Sequence, residues 1–365
     1  FTIYFKKIIS EIIDNRNIRI DDLAIISPEE EGEIVFNFNN TAVAYEKHKT
    51  IHRLFEEQAA KTPHNRAVVC EGNTITYDVL NKKANQLARR ILAVQSNPGG
   101  IAAIMMKRSV EIIIAMLAVL KAGSAYMVIE PDNPGERKKY LLDDCGVTVC
   151  VTESQLWKEN SDVLDHIDYQ HIVLVDDDSI YTGDDGNLPE YTTSDDLIYV
   201  VYTSGTTGRP KGILTKHYSV HNHIIGLKKS VYHMYDEYVN IAVVSPFIFD
   251  GSVKQMYGAL LQGHTLCIAP ENTRRDPSRL VPFYQQNNIR ISDGTPSHLK
   301  LLIEYLGHHY QQLPVNHFII SGDKLTVKVA KDLFRILNND KLIISNLYGP
   351  TECCVDTTCF HVTAE

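Results

Sequence analysis

From residue 66 onward, short apolar runs alternate with longer amphipathic stretches, and this alternation leaves few architectures open. "RAVVCEG", "NTITYDVL", "IAAIMM", "VTVCVTE", "HIVLVDD" and "DLIYVVYTSG" read as strands, as do "NIAVVSPF", "TLCIAP", "IRISDGTP", "HFIISG" and "KLIISNLYGP" further on. Helical patterns lie between them, such as "VLNKKANQLARRILAV" and "VEIIIAMLAVLKAG", the latter closed by Gly123. Strands alternating with helices predict an α/β fold with parallel sheets flanked by helices on both faces. No apolar run approaches the ~18 residues of a membrane-spanning helix.

Other features narrow the function. A net charge of −9 without a long basic run argues against nucleic-acid binding. The seven cysteines are scattered, odd in number and without a C-x-x-C pair, which predicts a reduced, cytoplasmic protein without a disulfide framework or a zinc site. The start, "FTIYFKKIISEII", lacks the plan of a signal peptide and reads as a piece of something longer. It predicts a helix over 1–15 with Phe5, Ile8, Ile9, Ile12 and Ile13 on one face. Residues 16–48 carry enough apolar residues to predict a linker that packs, and a helix follows at 51–61, stopped by Pro63.

The most specific stretch is "YTSGTTGRPKG", residues 202–212, which a strand runs straight into. Gly205 and Gly208 let the backbone curl around an anion, and Thr203, Ser204, Thr206, Thr207 and Lys211 supply hydroxyls and an ammonium. A plain exposed turn rarely needs all of these in fixed order. Neither the Walker A pattern nor G-x-G-x-x-G fits these residues. A second stretch, "NLYGPTE" (346–352), offers an aromatic ring at Tyr348, a turn at Gly349-Pro350, a hydroxyl at Thr351 and a carboxylate at Glu352. A nucleotide with a metal would use those groups, although alone they equally suit an ordinary loop.

In this order and spacing, the sequence resembles the adenylation domains of non-ribosomal peptide synthetases, within the adenylate-forming superfamily. The resemblance rests on ITYDVL (75–80), LKAGSAY…EPDNPGER (120–137), YTSGTTGRPKG (202–212), FDGSVKQMYGALLQG (249–263) and NLYGPTE (346–352). It implies a condensation-domain tail and linker over 1–48. The N-terminal core subdomain would span 49–365, with the C-terminal subdomain absent, so that this piece alone would adenylate weakly or not at all. Val128 stands where proline is usual and Glu130 where aspartate is usual, and "SGDKL" (321–325) replaces G-G-E-x-L.

The activity implied is formation of an aminoacyl-AMP from an amino acid and Mg-ATP, then transfer to the phosphopantetheine thiol of a carrier domain. No general base is needed, because the attacking carboxylate is already ionised at pH 7. By resemblance, ATP or AMP is held by residues 203–208 with Lys211, and by Gly322, Asn346, Leu347, Tyr348, Gly349 and Thr351. Glu352 would hold the Mg²⁺, and Thr203, Lys211 and Glu352 would act on the reacting phosphates. Expected partners are the amino-acid substrate and the carrier and condensation domains of the same synthetase. Whether an MbtH-like protein is needed stays open.

The resemblance also implies the acyl pocket: Asp250 for the α-ammonium, then Gly251, Lys254, Asp293, Ile319, Ser321, Leu347, Val355 and Asp356. Lys254 is the informative member, since a buried ammonium is costly unless paired. The set looks like glutamate-type pockets, with Asp293 holding the lysine. Glutamine is the nearest rival. A neutral side chain beside a Lys254–Asp293 pair, or a basic one held by Asp293 and Asp356, also stays open. A one-residue slip would put Ser292 or Gly294 in place of Asp293. The rival reactions are an acyl- or aryl-CoA ligase, a non-catalytic nucleotide-binding module and a phosphotransferase. Asp250 and the leader argue against the first, the phosphate loop and Glu352 against the second, and the lack of a base for a hydroxyl nucleophile against the third.

Overall fold

The computed structural model describes residues 1–95, 98–164, 167, 169–204, 209–309 and 311–363. The chain divides into two units, Phe1–Glu46 and Lys47–Glu365, two residues earlier than the boundary expected from the sequence. The first contains the expected helix, Thr2–Asp14. A short helix, Pro28–Gly32, follows, with the Ser27 hydroxyl accepting from the Glu30 N–H, and then a π-helical turn, Glu33–Asn37. No residue of 1–46 is buried, and Phe5, Ile13, Ile20, Phe36 and Phe38 are all exposed. So short a segment has too little interior to form a core by itself.

The second unit contains two sheets among the described residues. One has eight strands in the spatial order Thr358–Val362, Ile343–Tyr348, His317–Ile320, Ile289–Gly294, Asn240–Val243, Thr265–Ile268, Arg66–Cys70 and Asn73–Thr76. The other has six, in the order Ile172–Leu174, Val149–Thr152, Ile101–Met105, Ala125–Val128, Leu197–Thr203 and Lys211–Lys216. Interior pairings are parallel, as the alternation predicts. Three outer pairings are antiparallel instead: Arg66–Cys70 with Asn73–Thr76, Ile343–Tyr348 with Thr358–Val362, and Leu197–Thr203 with Lys211–Lys216. The short connections in these places allow only hairpins, because a parallel return needs a crossover.

One boundary differs from the reading of "NTITYDVL" as a strand. The strand ends at Thr76, whose hydroxyl accepts from the Val79 N–H and caps a helix, Tyr77–Val94. Tyr77 is then free to reach inward, and its hydroxyl donates to the His264 carbonyl at 2.7 Å. The helix Val110–Lys121 is apolar almost all round and nearly every residue in it is buried, as expected of a helix packed on more than one side. Its last residue, Lys121, forms a buried ion pair with Glu56.

Parallel register sets the site. Asp293 pairs with Ile319 and Ile319 with Ser345 across three neighbouring strands. Side chains alternate along a strand, so Asp293, Ile319 and Leu347 share one face, while Asn346 and Tyr348 take the other. These positions crowd the carboxyl ends of the strands, where open α/β sheets place their ligands. Arg108 ties the two sheets together at that end, donating to the carbonyls of Val243, Ser245 and Ala269 at 2.6 to 2.7 Å.

Two core imidazoles set an acid limit. His217 accepts from the Ile51 N–H through Nδ1, and His317 lies between the Tyr235 and Ser345 hydroxyls. Burial pushes His217 down to about 3 and His317 down to about 4. Because the folded values lie below the unfolded one, their contribution is complete above about pH 6.5. It is lost as pH falls toward the folded values. Moving from pH 7 to pH 5.5 is expected to cost about 1 kcal/mol per ring, read as a lower urea midpoint.

Candidate active site

Two paired strands flank the stretch expected to hold phosphate. Leu197–Thr203 and Lys211–Lys216 pair antiparallel, with Thr203 opposite Lys211 and Tyr202 opposite Gly212. Thr203 and Lys211 thus stand side by side at the neck, with Ser204 and Lys211 exposed. Gly205, Thr206, Thr207 and Gly208 lie outside the described residues. A residue that sequence reading missed anchors this neck: the Tyr140 hydroxyl donates to the Pro210 carbonyl at 3.0 Å.

Beyond the strand Ile343–Tyr348, the chain turns sharply. Tyr348 is 69% exposed, so its ring is free to serve as a platform for a base. Thr351–Cys353 form a short 3₁₀ turn, with Glu352 exposed. Cys354 and Val355 then both have positive φ, +63° and +72°. That conformation is costly for a β-branched residue and is retained where surrounding structure imposes it. Gly349 makes the turn possible, because a Cβ there would lie 2.5 Å from Asp356 Cα and 2.7 Å from the Val355 carbonyl.

A single bound carboxylate suits Mg²⁺, which keeps several waters and shares phosphate oxygens with its ligand. Glu352 meets that requirement, and no cluster of three or more metal-ligating side chains occurs among the described residues. Gly322 has a φ of +84°, which turns the chain directly after Ser321.

The acyl-pocket residues converge from four segments. Asp250 precedes the helix Gly251–Leu260, and its carboxylate does not cap that helix. Burial raises the Asp250 carboxyl, while a hydrogen bond with Thr351 draws it down. One turn later, Lys254 is fully buried. Its Nζ donates to the Ser321 hydroxyl at 2.9 Å and lies 3.2 Å from Asp293 and 3.1 Å from Asp356. Burial depresses the Lys254 ammonium, but the two carboxylates outweigh it and hold the group above its ordinary range. Desolvation pushes Asp293 up to about 6, against the pull of Lys254. Ile319, Leu347 and Val355 are buried apolar members of the same set, and Gly251 leaves room beside Ser245.

Of the two neighbouring residues Ser292 and Asp293, Asp293 is the one beside Lys254, whereas Ser292 turns to the Tyr284 hydroxyl at 2.7 Å. Two further residues went unnoticed in the sequence. Gln255 accepts from the Val244 N–H at 3.1 Å and donates to the Ser245 hydroxyl at 2.6 Å. His223, on the helix His217–Ser230, faces Asp356 at 3.9 Å. Neither shows locally in the sequence, because each acts through a contact distant along the chain.

The site can therefore hold an α-ammonium at Asp250, a polar side-chain end at Lys254, and a nucleotide along Thr203, Lys211, Tyr348 and Thr351. Comparison with known proteins gives the family and the fold. Over 97% of its length the chain is 38% identical to bacitracin synthase 1 of Bacillus licheniformis, of which it spans 7%. Over 95% it is 34% identical to surfactin synthase subunit 1 of Bacillus subtilis (strain 168), spanning 9%. A crystal structure of the nonribosomal peptide synthetase FmoA3 superposes with a TM-score of 0.85 at 23% identity, over 99% of this chain and 40% of that one. The fold is thus that of the N-terminal core of adenylate-forming enzymes. Residues 55–365 match the family model described as AMP-binding enzyme, and the chain belongs to that family.

Proposed function

We propose that this chain supplies the core of an amino-acid adenylation domain that activates L-glutamate for non-ribosomal peptide synthesis. The substrate carboxylate attacks the α-phosphorus of ATP, the bond to the bridging oxygen breaks, and pyrophosphate leaves. The aminoacyl group then passes to the phosphopantetheine thiol of a carrier domain. Thr203 and Lys211 orient and neutralise the phosphates, Tyr348 supports the base, and Asn346 meets its polar edge. Mg²⁺, when bound at Glu352, supplies further neutralisation of phosphate charge. The work is positioning and charge compensation, without proton abstraction.

The observation that carries glutamate is the spacing of Asp250 and Lys254. Four residues apart on one helix face, they are separated by ~6 Å of axial rise. A side chain with two methylenes and a carboxylate spans that interval from an α-ammonium at Asp250. The buried, doubly paired Lys254 gives the carboxylate a cation at the far end. One observation favours glutamine as a second reading: Asp293 and Asp356 set two acceptors against one lysine, which welcomes the N–H donors of an amide. Similarity to bacitracin and surfactin synthases supports the peptide-synthetase setting.

The test is ATP–pyrophosphate exchange across the twenty amino acids, using the full-length protein that carries this segment. Exchange is expected to peak with glutamate. A peak with glutamine favours the second reading, and a peak with an apolar amino acid sinks both. Formation of ADP in place of AMP would overturn the reaction class.

A further inference from the structure

Among the residues around the buried lysine, one polar atom is left over. His223 Nε2 is buried and has no hydrogen-bond partner among the described residues, although its neighbours are charged. It lies 3.9 Å from Asp356 Oδ2, too far for a hydrogen bond, and its side chain is 6% exposed. Helix His217–Ser230 contributes several buried residues to the core, so the imidazole is fixed in place. An orphan polar atom aimed at a carboxylate is costly unless some state of the protein uses it.

Substrate binding supplies such a state. With the pocket empty, Lys254 Nζ serves Ser321, Asp293 and Asp356 together. An ammonium has three N–H donors, and these three acceptors exhaust them. A substrate carboxylate that takes one donor must displace an existing acceptor. Asp293 Oδ2 and Asp356 Oδ2 alike have no other hydrogen-bond partner among the described residues, and Asp356 is the one that His223 Nε2 faces. We propose that His223 is a further specificity-determining residue, a positioning residue whose Nε2–H takes over Asp356 when an acidic side chain engages Lys254.

This inference rests on the glutamate reading and adds a residue to it. Burial first, then Lys254, pushes His223 down to about 4 despite Asp356, so the ring meets the substrate neutral and donates through one tautomer. A neutral donor steadies Asp356 without competing with the substrate for Lys254. Leucine at this position would fill much of the space and offer no donor, whereas glutamine would fill it and keep one.

The experiment compares the parent, His223→Leu and His223→Gln as full-length proteins, measuring exchange kinetics with glutamate and with ATP. His223→Leu is expected to raise the glutamate KM about tenfold, as loss of one hydrogen bond to a charged group implies, with the ATP KM unchanged. His223→Gln is expected to restore the glutamate KM to within about threefold of the parent. A parent that does not use glutamate overturns the substrate reading, and the role of His223 falls with it. A parent that uses glutamate, with the KM unmoved in His223→Leu or not rescued in His223→Gln, overturns the His223 assignment alone.

Discussion

Replacing Lys254 by methionine is expected to lower kcat/KM for glutamate by about a thousandfold, the loss associated with truncating one partner of a buried charge pair. Methionine matches the lysine in length and volume, so the packing of helix Gly251–Leu260 survives and only the charge is lost. Two consequences follow from the same removal. The substrate carboxylate loses its cation, and Asp293 and Asp356 are left buried without theirs. The second effect also costs stability, roughly 3–5 kcal/mol when one member of a buried ionic cluster is removed. A double variant, Lys254→Met with Asp293→Asn, separates the two. It removes one stranded carboxylate and should recover part of the urea midpoint, while exchange with glutamate stays lost. Glutamate exchange that persists in Lys254→Met would show that the substrate side chain ends elsewhere.

Gly349→Ala is expected to damage both halves of the reaction at once. The added Cβ would meet only backbone: Asp356 Cα at 2.5 Å, the Val355 carbonyl at 2.7 Å and the Thr357 nitrogen at 2.8 Å. Backbone cannot swing aside as a long side chain can, so residues 355–357 must move. The turn has little freedom to absorb this, since Cys354 and Val355 already have positive φ. Displacing the turn moves Asp356 away from Lys254 and tilts Thr351 and Glu352 away from the nucleotide. A misplacement near 1 Å costs about 10²-fold in rate. The KM for glutamate and the KM for ATP should therefore both rise. A change in only one of them would show that the turn does not join the two subsites.

The course of the chain was legible in the sequence because it depends on local pattern. Runs such as "IAAIMM" and "KLIISNLYGP" form strands, and the resemblance at "YTSGTTGRPKG" and "NLYGPTE" brought out two loops that the structure sets at strand ends. The failures are equally local. Thr76 looks like one more β-branched strand residue until its hydroxyl is seen capping the next helix. The antiparallel outer pairings depend on connection length, and apolar content alone does not reveal them. His223, Gln255 and Tyr140 were invisible for a different reason. Each is defined by a partner brought near only by folding: Asp356, Ser245 and Pro210 respectively. The positive φ at Val355 was hidden too, because valine gives no sequence signal for a conformation it disfavours.

The close spacing of Glu352 and Asp356 bears on how such a site can evolve. Lys254, Asp293, Ile319 and Ser321 project from or just beyond one helix and two strands, so on the proposed reading they can change together as a group without disturbing the turn. Asp356 is not independent. It shares one rigid turn with the group assigned to the metal, and both are geared to the same glycine. Selection for a new amino acid can therefore retune that group without moving the turn. A change that displaces Asp356 also changes the grip on the nucleotide, and lineages drifting toward new substrates should conserve the turn while its neighbours diversify.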